Sequence, residues 1–90
     1  MTVKKLFSIY DIKMNLYNVP YTARTIEESI RSFADLLNNS PNSKMRDYAE
    51  DYSLYHIGDF DEDTGKIVAL DQPYSISYAK DLLKVKDDVK

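Results

Sequence analysis

The chain of 90 residues contains no cysteine and no tryptophan, and it has one histidine and two glycines. Without cysteine it forms no disulfide, thiolate nucleophile, zinc ribbon or iron–sulfur cluster, and a reducing compartment is the default. The single histidine, His56, leaves no histidine pair for a metal and has no triad motif around it. Gly58 and Gly65 lack the spacing of a phosphate-binding glycine loop. These absences predict a protein that is not an enzyme and needs no cofactor.

Long hydrophobic runs are also missing. The longest uncharged stretch, residues 14–23, contains two asparagines and a proline, and it is too short and too polar to span a membrane. The first residues carry two lysines with no apolar segment after them, unlike a secretory signal peptide. We therefore expect a cytoplasmic protein without membrane contact.

Charge is distributed unevenly along the chain. Residues 1–46 carry seven basic and four acidic side chains, a balance of +3, whereas residues 47–90 carry five basic and eleven acidic ones, a balance of −6. The two parts together give the net charge of −3. A pI near 5.0 argues against general coating of nucleic acid. The alternative interpretation of the charge distribution is that both parts are ordinary mixed, solvated surfaces. Any confined anion-binding face is expected in the first part.

The hydrophobic pattern predicts a first strand at residues 5–10 and a helix that begins at the capping box Thr25–Glu28. Residues 11–21 between them are ambiguous, and we interpret them as an extended arm with Pro20 at an edge or turn. The helix ends at the polar segment 38–43. Its predicted inward stripe consists of Ile26, Ile30, Phe33, Ala34 and Leu37.

The second part of the chain predicts two more strands and a second helix. Residues 44–51 read as a loop or a single helical turn, followed by strands at 52–58 and 66–70 joined by a hairpin turn at 61–65. Residues 71–73 close the last strand, and Ser75 or Ser77 is expected to cap a helix that buries Ile76, Ala79, Leu82 and Leu83.

Together these elements predict a single α+β domain over residues 1–90, with a frayed tail at 84–90. The order strand-helix-strand-strand-helix gives a small single-layer sheet with two helices packed on one face. The short turn makes the last two strands antiparallel. The helical link after the first strand permits a right-handed parallel crossover.

Three groups of residues carry a resemblance to a known family. The first is Leu6–Asp11 with Lys13, the second is Ile30–Asp35 on the helix, and the third is Glu50–Tyr55 followed by Ile57–Asp61 and Thr64-Gly65. In this order they resemble the small nonstructural protein of single-stranded DNA microviruses of the gokushovirus branch, over residues 5–83. The resemblance implies a DNA-binding or replication-associated bacteriophage protein of the infected bacterial cytoplasm, with no catalytic residues.

The leading hypothesis is a nonenzymatic phage accessory protein that binds single-stranded DNA or the replication and packaging machinery. Tyrosine rings stack on unpaired bases, and basic side chains hold phosphates. The predicted nucleic-acid contacts are Lys4, Lys5, Lys13, Arg24, Arg31, Arg46, Tyr17 and Tyr21, with Lys44 as a further basic residue of the same part. A packed core finished with tyrosines is the alternative for the aromatic residues, and pairing with Glu27 or Glu28 is the alternative for Arg31.

A second hypothesis is a protein-interaction module without direct DNA binding. It acts as a homodimer or as an adaptor on a host or viral replication protein, and the acidic balance, the arm and the tyrosines fit it. The acidic segment 59–65 lacks the glycine and glutamate positions of a calcium loop, so we interpret it as a hairpin. We expect His56 to be structural.

Overall fold

The computed structural model describes residues 2–39 and 44–83, so the predicted frayed tail at 84–90 lies outside the described residues. The elements are β1 (Val3–Asp11), β2 (Leu16–Tyr17), β3 (Tyr21–Ala23), α1 (Ile26–Asn39), α2 (Lys44–Asp47), β4 (Tyr52–Asp61) and β5 (Ile67–Tyr78), with 3-10 turns at Ala49–Asp51 and Ala79–Leu82. Within these ranges no helix is long and apolar enough to cross a membrane.

The strands form one open antiparallel sheet in the order β2-β1-β4-β5, with β3 also paired to β1. The predicted α+β class is confirmed. β1 is central, because β2 and β3 lie along one edge of it and β4 lies along the other. Its apolar residues on both faces are typical of a central strand.

The expectation of a parallel crossover is wrong, since β1 and β4 pair antiparallel. The ambiguous segment explains the difference. After the turn at residues 12–15 it returns along β1 as β2 and β3. The chain therefore enters α1 at the starting end of β1, and α1 carries it back to the far end, where Tyr52 of β4 pairs with Asp11.

The predicted C-terminal helix is also wrong, because β5 continues through Pro73 to Tyr78 and only Ala79–Leu82 forms a 3-10 turn. Residues 70–73 lie opposite Ile57 alone, so Pro73 occupies an irregularity of an edge strand, where a missing N–H is tolerated. Ser77 then pairs with Leu54 in the ladder instead of capping a helix. The predicted burial of Ile76, Ala79, Leu82 and Leu83 is nevertheless met, since all four belong to or pack on the core.

The core lies between α1 and one face of the sheet. Phe33 and Leu37 of α1 are buried against Phe7, Ile9 and Leu54 of the central strands. Ser29 is buried among them, and its hydroxyl donates to the Ile26 carbonyl at 2.6 Å. Ile26 and Ile30 pack on the edge of this core, as the predicted stripe requires.

Local signals set the start of α1 and the turn between β4 and β5. The Glu28 N–H donates to Thr25 Oγ1 at 3.0 Å, as a capping box predicts, but the Glu28 carboxylate accepts from the Arg24 N–H at 2.8 Å. The predicted hairpin is confirmed, with Gly65 at φ 78° donating to the Asp61 carbonyl at 2.7 Å.

Candidate nucleic-acid interface

The two faces of the sheet differ in what covers them. Cross-strand partners point to the same face, so Phe7, paired with Tyr21 and His56, marks the face that α1 covers. The opposite face, here called the open face, carries Tyr10, paired with Tyr17 on one side and Ser53 on the other. The buried core cluster is drawn mainly from the first face. On the open face the small residues Ser8 and Ser53 are buried, while Tyr17 and Tyr78 are exposed.

Three tyrosine rings meet on the open face and form the tyrosine cluster, which consists of Tyr10, Tyr17 and Tyr55. The ring centroids of Tyr10 and Tyr17 lie 4.6 Å apart. Tyr55 meets both rings edge-on, at 5.8 Å from Tyr10 and 5.7 Å from Tyr17. Such contacts fix ring orientation, and 45% of Tyr17 remains exposed. The cluster therefore presents an ordered aromatic surface to solvent.

The sheet register places a fourth tyrosine on the open face, at the other edge of the sheet. Tyr17, Tyr10, Ser53 and Tyr78 are successive cross-strand partners on β2, β1, β4 and β5. Tyr78 is 45% exposed, and the Lys80 ammonium lies 5.9 Å from its ring centroid. With strands about 4.8 Å apart, this row spans roughly 14 Å. Nucleic-acid-binding sheets of four strands stack two or three bases on a surface of this kind.

The turn at residues 12–15 holds one end of the tyrosine cluster. Asn15 adopts φ 58°, a left-handed conformation that asparagine tolerates better than most residues. Its Oδ1 accepts from the Tyr10 hydroxyl at 3.0 Å. The Asp11 carboxylate accepts from the Met14 N–H at 3.1 Å, which closes the turn. The turn therefore fixes the Tyr10 ring from outside the sheet.

The open face is free of carboxylates at its paired positions in the described sheet, although the chain is acidic. The paired residues on this face are Lys4, Leu6, Ser8, Tyr10, Tyr17, Thr22, Ser53, Tyr55, Gly58, Phe60, Ile67, Ala69, Ser75 and Tyr78. Asp11, Asp59 and Asp61 pair on the other face. The carboxylate of Glu62, which directly follows β4, lies beside Lys4 at one end of this face.

Ionisation of Tyr17 is disfavoured. Burial, followed by the proximity of Tyr55 and Tyr10, raises the pKa of Tyr17. The ring at the exposed edge of the cluster therefore stays neutral well above physiological pH.

Four of the predicted contacts lie on or beside the open face. Tyr17 belongs to the tyrosine cluster and Lys4 is a paired residue of this face. Arg24 directly follows β3 beside Lys4, and Lys13 is exposed in the turn that holds Tyr10. Tyr17 and Lys4 thus lie on the open face, Arg24 lies next to Lys4 at one end of it, and Lys13 lies in the turn at the other end.

The other four predicted contacts lie on the helix side. Lys5 pairs with Ala23 on the covered face, Arg31 is exposed on α1, and Arg46 donates to the Asn38 side chain at 2.8 Å. Tyr21 packs on Phe7 with ring centroids 6.0 Å apart, and its hydroxyl donates to the Ser29 carbonyl at 3.1 Å. Burial raises the pKa of Tyr21 to about 12. Tyr21 is partly buried against the core, so a role as a surface on which bases stack does not fit its position.

The sequence prediction omitted Tyr10, Tyr55, Tyr78 and Lys80 from the site. Tyr10 and Tyr55 belong to it only because of the register of β1 with β4, which no local pattern reveals. Tyr78 falls within the C-terminal helix that the sequence predicts. The alternation of Leu6, Ser8 and Tyr10 against Phe7 and Ile9 was the one available signal.

His56 occupies a structural position. Its Nε2 lies 2.9 Å from the Gly58 carbonyl and 3.3 Å from Asp59 Oδ1, and its ring packs 5.4 Å from that of Phe7. Within the described ranges, no group of three potential metal-ligating side chains lies close enough together to hold a metal ion.

Exposed apolar side chains concentrate at the β2 edge. Ile12, Met14, Leu16, Tyr17 and Val19 are between 41% and 87% exposed, with Val19 the highest. Behind this apolar edge, a groove of about 530 Å³ opens between residues 18–21 and α1, and Leu36 and Met45 are among the residues that line it. Concentrated exposed apolar surface of this kind marks interaction sites.

A comparison with known protein families gives a match over most of the chain. The model of the Phage ORF5 protein family matches residues 4–82. The chain belongs to the Phage ORF5 protein family. No curated protein and no solved structure matches this ORF5 protein.

Membership makes this chain a small bacteriophage protein, which confirms that part of the predicted resemblance. The matched range of the ORF5 family runs from β1 to the last 3-10 turn. It therefore includes all three residues of the tyrosine cluster and the whole apolar edge.

Proposed function

We propose that this ORF5 protein is a nonenzymatic accessory protein of a single-stranded DNA phage of the gokushovirus type. It binds single-stranded DNA on the open face, in the cytoplasm of the infected bacterium. The observation that carries the proposal is the row of tyrosines across a sheet face whose paired positions carry no carboxylate.

Stacking supplies most of the binding free energy in this proposal. Unpaired bases stack on the exposed rings of Tyr17 and Tyr78, and each base contributes about 1–3 kcal/mol. Lys80, beside Tyr78, adds a cation close to one stacking position. Bases in a duplex hide their faces, so the surface favours single strands.

Phosphates are held at the borders of the face. Lys13 lies next to the tyrosine cluster, while Lys4 and Arg24 lie at the other end of β1. Few phosphates are neutralised, so binding is weaker than that of a basic coating protein and depends moderately on salt. This matches a net charge of −3.

Fluorescence anisotropy with a labelled oligothymidylate at low salt tests the proposal. We expect saturable binding that weakens as salt rises, and Tyr17→Ala and Tyr78→Ala each weaken it by about 5- to 150-fold. Tyr74→Ala is the matched control, because Tyr74 is 64% exposed on the same strand as Tyr78 but pairs with His56 on the other face.

Tyr74→Ala should leave the affinity unchanged. A duplex of the same sequence should compete poorly with the labelled strand. Absence of saturable binding, or equal losses for Tyr78→Ala and Tyr74→Ala, contradicts the proposal.

The apolar edge supports a second candidate function, self-association as a homodimer. Val19 and Leu16 expose apolar surface beside the groove on the helix side of the sheet. This surface does not overlap the row of tyrosines beyond Tyr17, so a dimer leaves most of the open face accessible. The oligomeric state in solution tests this candidate.

A further inference from the structure

Two ion pairs lie together at the end of the open face that is remote from the tyrosine cluster. Lys4 Nζ lies 2.9 Å from Glu62 Oε2. Arg24 Nη2 lies 3.6 Å from Glu28 Oε2. Each basic group that the proposed DNA site has at this end is thus held by a carboxylate of the same chain.

The register brings these two pairs into one cleft. The pairing between β1 and β3 ends at Lys5 and Ala23. Lys4 and Arg24, one residue farther along each strand, are therefore cross-strand neighbours just beyond this ladder. The two basic residues, both glutamates and Thr22 line a common cleft of about 440 Å³.

The four groups interact across the cleft as well as within each pair. A hydrogen bond from the Arg24 N–H, followed by the charges of Arg24 and Lys4, lowers the pKa of Glu28. Lys4 therefore acts on the carboxylate that holds Arg24, in addition to its own partner Glu62.

We propose that the Lys4–Arg24 cleft is a phosphate subsite of the DNA-binding face, and that Glu62 occupies it in the free protein and competes with the DNA backbone. This inference rests on the proposed function. A backbone phosphate enters between Lys4 and Arg24 and displaces the Glu62 carboxylate towards solvent.

The exposure of the pairs makes this exchange feasible. About a third of each side chain of the Lys4–Glu62 pair is accessible, and exposed pairs of this kind are weak. A phosphodiester offers Lys4 and Arg24 a shared partner, and arginine binds phosphate oxygens well. The Glu28 carboxylate is harder to displace, because it also accepts a hydrogen bond from the Arg24 N–H at the start of α1.

The distance along β1 suits one DNA strand that reaches both parts of the face. Lys4 and Tyr10 lie six residues apart on the same side of the strand, which is about 20 Å. A single strand laid along β1 stacks its bases on the tyrosine cluster and places a phosphate farther along at the cleft.

Glu62→Gln tests the inference by anisotropy with the labelled oligothymidylate at about 0.1 M salt. We expect the affinity to rise about two- to fivefold, the effect of releasing an exposed pair. The dependence of log affinity on log salt should steepen by about 0.7 if one more phosphate contact forms.

Glu50→Gln is the matched control, since it makes the same change in net charge on an exposed side chain. Glu50 lies in the 3-10 turn Ala49–Asp51, which leads into β4 at the end of the sheet where Tyr52 pairs with Asp11. It is about 20 Å from the cleft, beyond the Debye length of about 10 Å at this salt. The affinity of Glu50→Gln for the oligothymidylate should therefore equal that of wild type.

A double-mutant cycle assigns the effect to Lys4. In the Lys4→Gln background, Glu62→Gln should raise the affinity no further, because its competitor role requires Lys4. Circular dichroism of every variant checks that the fold is retained. If Glu62→Gln binds like wild type, or if it gains affinity equally without Lys4, the inference is overturned.

The outcomes separate the inference from the proposed function. If the wild-type protein binds, Tyr17→Ala loses that binding and Glu62→Gln binds like wild type, the DNA-binding proposal is retained. The competitor role of Glu62 is then rejected. Absence of saturable binding in wild type and Glu62→Gln alike rejects both.

Discussion

Tyrosines of this chain take different roles because of the face that each one meets. Tyr17 and Tyr21 are four residues apart, yet Tyr17 stacks on Tyr10 at the surface while Tyr21 donates a hydrogen bond inside the molecule. The sequence predicted both as DNA contacts, since composition alone cannot distinguish them. The strand pairing distinguishes them, because Tyr17 pairs with Tyr10 and Tyr21 pairs with Phe7.

The buried position of Tyr21 predicts how stability depends on alkaline pH. Its pKa is raised to about 12 in the folded protein, so its contribution is fully present below pH 10, the ordinary pKa of tyrosine, and is lost as pH rises towards 12. We expect the free energy of unfolding to fall less between pH 9 and pH 11 in Tyr21→Phe than in wild type.

Urea unfolding at both pH values measures this difference. At pH 8 the same variant should lose about 0.5–1.5 kcal/mol, because the bond to the Ser29 carbonyl is absent. Tyr48→Phe, at a tyrosine that is 61% exposed, serves as the control and should follow wild type. An unchanged alkaline slope in Tyr21→Phe would count against the buried assignment.

At the scale of elements, α1 was the most predictable part of the chain. Its start is fixed by contacts within five residues, and its stripe of apolar residues reports the buried face directly. Glu28 adds stability at this start, since its pKa is lowered by the Arg24 N–H. That contribution is present above its ordinary pKa of 4.5 and is lost as pH falls through its lower folded value.

The cap of α1 provides a test at this scale. Thr25→Ala should lower the free energy of unfolding by about 1 kcal/mol, because the Glu28 N–H loses its acceptor. Thr25→Ser keeps a hydroxyl at the same position and should retain most of the stability. Urea unfolding at pH 7 compares the two, and equal losses for both variants would contradict a capping role.

β5 was the least predictable element. The spacing of Ile76, Ala79, Leu82 and Leu83 favours a helix, and Pro73 favours an end to the preceding strand. Pairing with β4 overrides both signals, because the edge strand tolerates Pro73 at an irregularity and then re-enters the ladder at Tyr74. The backbone of β5 also lies close to β4, where an added Cβ at Gly58 would come within 2.6 Å of the Val68 carbonyl.

At the scale of the whole molecule, the two sides of the sheet present different chemistry. The open face carries tyrosines with lysine at its paired positions, while the helix side carries the aspartates of β1 and β4 and the apolar groove. A small chain can therefore combine a net charge of −3 with one surface that suits a polyanion. As proposed, DNA binding uses the open face and self-association uses the apolar edge, and Tyr17 belongs to both.

The second candidate function predicts a dimer that depends on the apolar edge. We expect light scattering after size exclusion to give twice the chain mass for wild type and one chain mass for Val19→Asp. Val68→Asp is the control, because Val68 is 62% exposed on β5, at the other edge of the sheet. A monomeric wild-type protein, or dissociation by both variants, contradicts dimerisation through this edge.

The sequence by itself determined the class of the fold, the start of α1, the hairpin at Gly65 and the uneven charge. These depend on residues that are close in the chain, whose propensities and short contacts act without the rest of the molecule. It also predicted Lys4, Arg24 and Tyr17 as candidate contacts. Only the tertiary structure decided which candidates share a surface. A strand's register assigns every side chain to one face or the other, and that register is fixed by long-range pairing and burial.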